Sequence, residues 1–83
     1  MSKIKIIAPM PGIFYTKPSP ESENYKKSGD LVNKGDILCL IEVMKTFNQI
    51  ESEQRGIFIS YQAENGQLVT IGQVIAVVQT EAI

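Results

Sequence analysis

The chain has no histidine, no tryptophan and a single cysteine, Cys39, among its 83 residues. Without histidine there is no Ser-His or Cys-His nucleophile pair and no histidine-ligated metal. One cysteine forms no intramolecular disulfide and builds no structural zinc site. Cys39 sits in the apolar run Ile37, Leu38, Cys39, Leu40, Ile41, which reads as a buried, inert thiol. No stretch matches the glycine-rich phosphate-binding patterns. Eight basic and nine acidic residues leave a formal net charge of −1. A groove that follows a phosphate backbone needs a basic excess, so nucleic acid is not an expected partner. No apolar run approaches the roughly 20 residues of a membrane span, and no basic-then-apolar leader is visible. A cytoplasmic protein is expected. The chain is poor in catalytic parts, so its chemistry should belong to something attached to it.

What is present is a folding signal. Hydrophobic residues make up 43% and charged residues 20%, ordinary for one folded domain, taken over residues 1–83. The chain also repeats itself. Gly29, Leu31, Val32 and Gly35 recur as Gly66, Leu68, Val69 and Gly72, always 37 positions on. The apolar run after the second glycine recurs in kind. Upstream, Gly12-Ile13-Phe14 resembles Gly56-Ile57-Phe58 at an offset of 44, so the first copy holds seven extra residues. The stretch 18–24 has two prolines and no apolar side chain. It reads as an inserted protrusion, about residues 17–24.

Short β-branched segments separated by glycine turns argue for strands throughout. Strands are expected at residues 5–8, 12–15, 31–32, 37–42, 47–51, 56–59, 68–69 and 74–79. No segment keeps helical periodicity for three turns. Gly35, Gly66 and Gly72 suit positive φ, and Pro9 and Pro11 should stop the first strand. The expected fold is all-β: a flattened eight-strand barrel or sandwich of two four-strand copies related by a pseudo-twofold. The join between the copies, residues 43–46, should then be a tight exposed hairpin. Its counterpart is the C-terminus near Ala82, and the hairpin is expected at the opposite end from both termini.

Lys45 falls in that turn. A lysine in an exposed hairpin is usually a solvated charge, but its neighbour Met44 is apolar where a turn favours a polar residue. Val43 and Phe47 extend the apolar bracket. An exposed Met-Lys pair gives a modifying enzyme something to grip. Glu42 and Glu51 read as strand-flanking residues rather than an acid–base pair. Phe14, Tyr15, Phe58 and Tyr61 read as core and rim.

The segment Ile41-Glu42-Val43-Met44-Lys45-Thr46-Phe47-Asn48-Gln49-Ile50 resembles the Glu-Ala-Met-Lys-Met signature of biotinyl domains, in which the lysine carries biotin by an amide bond. Ala8-Pro9-Met10-Pro11-Gly12 and the two glycine-turn units extend the likeness over nearly the whole chain. Pro18-Ser19-Pro20 is similar to the thumb of the acetyl-CoA carboxylase type of biotin carboxyl carrier. The resemblance implies the biotinyl/lipoyl hammerhead fold with biotin on Lys45. It also implies ligase recognition through Glu42, Val43, Met44 and Thr46, and a thumb comprising Lys17, Pro18, Ser19, Pro20 and Glu21.

The implied partners are a biotin protein ligase, a biotin carboxylase and a carboxyltransferase. The implied role is that of a non-catalytic carrier taking carboxyl groups between the last two, in acetyl-CoA carboxylase and fatty acid synthesis. Three departures stand out. Val43 replaces the usual Ala, Thr46 replaces the usual Met, and Lys17 replaces a frequent Thr, which removes a hydroxyl from the thumb. Alternatives are a carrier of another biotin-dependent carboxylase or decarboxylase, a lipoyl carrier, or an unmodified interaction domain. Lipoyl domains typically place Asp-Lys-Ala at the turn, which Met44 and Thr46 do not match. Residues 1 and 2 lead directly into the first strand, as in an excised domain or a short stand-alone carrier.

Overall fold

A computed structural model describes residues 2–80. The element order is β1 (Ser2–Ile7), β2 (Gly12–Tyr15), β3 (Leu31–Val32), β4 (Ile37–Val43), β5 (Thr46–Glu51), β6 (Gly56–Tyr61), β7 (Leu68–Val69) and β8 (Val74–Thr80). Two four-stranded antiparallel sheets form, in the orders β1-β8-β6-β3 and β5-β4-β2-β7. No ladder joins them, so the arrangement is a sandwich, flattened to 40 × 27 × 19 Å. No helix occurs among the described residues.

Each sheet takes two strands from each copy of the repeat, and advancing every strand number by four converts one sheet order into the other. The pseudo-twofold is therefore real, and it interleaves the copies. The core follows it. Phe14 and Phe58, Val32 and Val69, Leu38 and Ile75, and Ile41 and Val78 are buried as equivalent pairs. Backbone bonds repeat as well. Ala8 N–H donates to Gln73 O at 2.8 Å, and Ser52 N–H donates to Asp36 O at 2.9 Å. Asn33 N–H reaches Asp36 Oδ2 at 2.9 Å, and Thr70 N–H reaches Gln73 Oε1 at 3.1 Å.

Gly35, Gly66 and Gly72 adopt positive φ as expected, and so does Gly29 at 95°. Its equivalence to Gly66 was the available signal. Gly12 and Gly56 answer to a different constraint. A Cβ on either would collide with a backbone carbonyl oxygen, of Glu42 for Gly12 and of Gln79 for Gly56. Strand limits differ from expectation mainly at β1, which begins at Ser2 and ends at Ile7, leaving Ala8 outside. Pairing with β8 carries the strand back to Ser2, opposite Thr80, and the ladder slips between Ile6 and Ile7. The bonds of Ala8 go to the turn at residues 72–73 instead. β4, β5, β6 and β8 run one or two residues further than expected.

Cys39 is fully buried, and burial pushes its thiol up to about 12. Tyr61 closes the core under the insertion. Its ring meets Phe58 and Phe14 at 4.6 and 6.0 Å, and its hydroxyl donates to Leu38 O at 2.7 Å. Burial also raises that phenol to about 12.

Candidate functional site

The hairpin joining β4 to β5 is the place where the copies meet. Val43 pairs with Thr46, so only Met44 and Lys45 make the turn. Their φ angles are 50° and 65°, the signature of a type I′ turn, which favours Asn-Gly. Neither residue is a natural occupant of left-handed backbone, and each such residue costs about 1–2 kcal/mol. Met44 is 93% exposed and Lys45 is exposed. No hydrogen bond or ion pair holds the Lys45 side chain among the described residues. The base of the turn is fixed. Val43 packs against the core, and Asn48 Nδ2 donates to Thr46 O at 3.3 Å and to Ile41 O at 3.2 Å. The arrangement is a rigid stem with a strained, unencumbered tip. In the other sheet, Ser2 pairs with Thr80 where Thr46 pairs with Val43 here. Ala82 lies outside the described residues.

Beside the tip, on the outer face of its sheet, four side chains cluster. Phe47 on β5 and Ile13 on β2 flank Glu42 on β4 as direct cross-strand partners. Tyr15 lies diagonally from Glu42, and its hydroxyl donates to Glu42 Oε1 at 3.0 Å. The Tyr15 and Phe47 rings are 5.8 Å apart, so they bracket Glu42 across β4. The hydrogen bond to the carboxylate raises the Tyr15 phenol above its ordinary value.

The insertion, expected at about residues 17–24, lies within the long connection from β2 to β3. Its base is tied. Buried Thr16 donates from Oγ1 to Asn24 Oδ1 at 2.7 Å, its N–H meets Asn65 Oδ1 at 2.9 Å, and its carbonyl accepts from Tyr25 N–H at 2.8 Å. Ser22 N–H returns to Ser19 O at 3.1 Å, closing a turn. Lys26 anchors the far side through Asp36 at 2.9 Å. Lys17 is half-buried, while Pro18, Ser19, Pro20 and Glu21 are exposed. Thr16 does not replace the hydroxyl missing at Lys17, because its own is committed to Asn24.

An open groove runs between the insertion and β5, walled by Pro18, Tyr25, Leu40 and Phe47. The structure thus brings Pro18 to the strand that follows Lys45. No side-chain hydrogen bond joins the insertion to residues 42–46 among those described. Sequence reasoning grouped Tyr15 with the core rim and missed its bond to Glu42. Comparing the copies position by position was the signal that could have found it, since Ile59 stands where Tyr15 would recur.

Comparisons with known proteins agree with this geometry. Residues 4–78 match the family model described as biotin-requiring enzyme. The chain is 48% identical over 66 residues to the biotin carboxyl carrier protein of acetyl-CoA carboxylase of Pseudomonas aeruginosa, covering 80% of this chain and 42% of that one. It is 40% identical over 75 residues to the protein of the same name of Porphyra purpurea, covering 90% and 48%. The chain spans less than half the length of these relatives. Among solved structures, a single-chain, multi-domain long-chain acyl-CoA carboxylase shares the fold, with a TM-score of 0.79 at 16% identity over 98% of this chain and 7% of that one. The chain belongs to the biotin/lipoyl attachment family.

Proposed function

We propose that residues 1–83 form a biotin carboxyl carrier domain, with Lys45 as the site of biotin attachment and residues 17–24 as its thumb. The observation that carries this reading is the tip itself. Lys45 stands in a strained two-residue turn, with no partner among the described residues and an exposed methionine beside it, in a chain of this family. A purely structural hairpin would be better served by Asn-Gly.

The residues present fit the group. An ammonium has no lone pair to attack with, so a ligase must accept the Lys45 proton. The Nζ lone pair then attacks the activated acyl carbon of biotin. A C–N amide bond forms and the bond to the activating group breaks. Glu42, Val43, Met44 and Thr46 lie around that amine as the surface a ligase reads. Acylation removes the charge of Lys45, so the arm enters a buried partner site without the penalty of desolvating an ammonium. Biotin, when attached, supplies a ring nitrogen that takes up and gives up a carboxyl group. The stem fixed by Asn48 and Val43 presents the arm reproducibly. The Pro18–Phe47 groove gives its apolar part a resting surface.

In this reading the domain serves a biotin carboxylase and then a carboxyltransferase of acetyl-CoA carboxylase, in the cytoplasm. The names of the relatives support acetyl-CoA carboxylase. The test is to supply the biotinylated domain to biotin carboxylase with ATP and labelled bicarbonate. Label should appear on the protein and move to acetyl-CoA when carboxyltransferase is added. Label that stays on the protein with acetyl-CoA, yet moves to another acyl-CoA, would assign a different carboxylase.

A further inference from the structure

The pseudo-twofold supplies an internal control. Equivalent positions in the two sheets face similar packing demands, so a difference between them points to a demand that one copy does not share. Across the outer face of the tip-bearing sheet runs the row Phe47, Glu42, Ile13, Leu68. The equivalent row of the other sheet is Lys3, Gln79, Ile57, Leu31. The ends distant from the tip are conservative, Ile13 for Ile57 and Leu68 for Leu31. The tip-side members are not: Phe47 stands for Lys3 and Glu42 for Gln79. Tyr15 in turn stands for Ile59, which has no hydroxyl and lies at a ladder slip between Phe58 and Ser60. β2 is regular there, with Tyr15 opposite Leu40.

The differences therefore concentrate in three side chains that touch one another. The Tyr15 hydroxyl takes Oε1 of Glu42 at 3.0 Å, which leaves Oε2 without a partner among the described residues. The ring of Tyr15 lies 5.8 Å from that of Phe47, and Phe47 is 57% exposed. A glutamate on an open sheet face samples several rotamers. This one is tethered by a hydrogen bond and bracketed by two rings, so its carboxylate is held beside an apolar surface with one oxygen left to pair. An ordered anion next to an aromatic ring suits a cationic side chain, which can pair with the oxygen and lie against the ring.

From this geometry we infer that Tyr15 is a positioning residue, which fixes Glu42 so that the enzyme modifying Lys45 docks a cationic side chain on the Glu42–Phe47 surface. The inference rests on the carrier reading. Tyr15 does not touch the reacting amine. Its effect belongs to the encounter with the ligase, and the bond-forming step should be unaffected.

The experiment is steady-state biotinylation by a biotin ligase of the wild-type chain, Tyr15→Phe, Glu42→Ala and the double variant, with urea unfolding run on each. Phenylalanine keeps the ring packing and removes only the hydroxyl. KM for Tyr15→Phe should rise about fivefold, with kcat nearly unchanged and the urea midpoint lowered by no more than the loss of one partly exposed hydrogen bond. In the Glu42→Ala background the same substitution should add little, because Tyr15 acts only through the carboxylate. A KM for Tyr15→Phe equal to that of the wild type, on a wild-type chain that is modified, overturns the inference and spares the carrier reading. So does an equal, additive effect in both backgrounds. A wild-type chain that accepts no biotin overturns both.

Discussion

Gly12 lies against the backbone carbonyl of Glu42 so closely that a methyl group on its α-carbon would occupy the oxygen's place. Gly56 stands in the same relation to Gln79. Two backbones approach at each site where β2 meets β4 and β6 meets β8. Gly12→Ala and Gly56→Ala should each lower stability by about 1–3 kcal/mol, the usual range for overpacking a tight contact. Urea unfolding measures this. Only Gly12→Ala should also slow modification of Lys45, since it displaces the strand that presents Glu42. Equal modification rates for the two variants would contradict that link.

The turn makes the second prediction. Met44 holds a φ of 50°, where Asn is far better tolerated. Met44→Asn should raise stability by about 0.5–1 kcal/mol and slow modification of Lys45, because the exposed methionine serves recognition. Thermal unfolding and biotinylation rate check the two halves separately. A loss of stability would remove the argument that the tip is strained.

The third prediction concerns acid. Asp36 accepts the Asn33 N–H and pairs with Lys26, and these hold its carboxyl below the ordinary 3.8. A carboxyl lowered by folding contributes stability above its unfolded value, and that contribution fades as pH falls through the folded one. Stability should therefore decline as the pH drops below 3.8. In Asp36→Asn, which keeps an acceptor and cannot ionise, the decline should be shallower. Gln73 shows that the turn itself needs no charge, since it caps Thr70 N–H at 3.1 Å. Urea midpoints for both proteins between neutral and strongly acid pH decide the matter.

Most of the fold was legible because the repeat was. Equivalent glycines, apolar runs and strand lengths at fixed offsets announced two interleavable copies, and the buried pairs Phe14–Phe58 and Val32–Val69 follow directly. What pairing adds at strand ends was not legible. Residues 2–4 hold only one apolar side chain, yet they extend β1 because β8 offers a partner as far as Thr80. The tip was legible as a turn, but its left-handed backbone was not, since nothing about Met-Lys favours positive φ. The Tyr15–Glu42 bond joins residues 27 positions apart. It needed the strand register, which places Tyr15 one diagonal step from Glu42 on the outer face.

The most direct measurement is the intact mass of the chain after incubation with biotin, ATP and a biotin ligase, beside Lys45→Arg. The account predicts a single increase of one biotinyl group in the parent, none in the variant, and a modified peptide that contains Lys45. An unmodified parent that is folded by circular dichroism, or the same increase in Lys45→Arg, would contradict it.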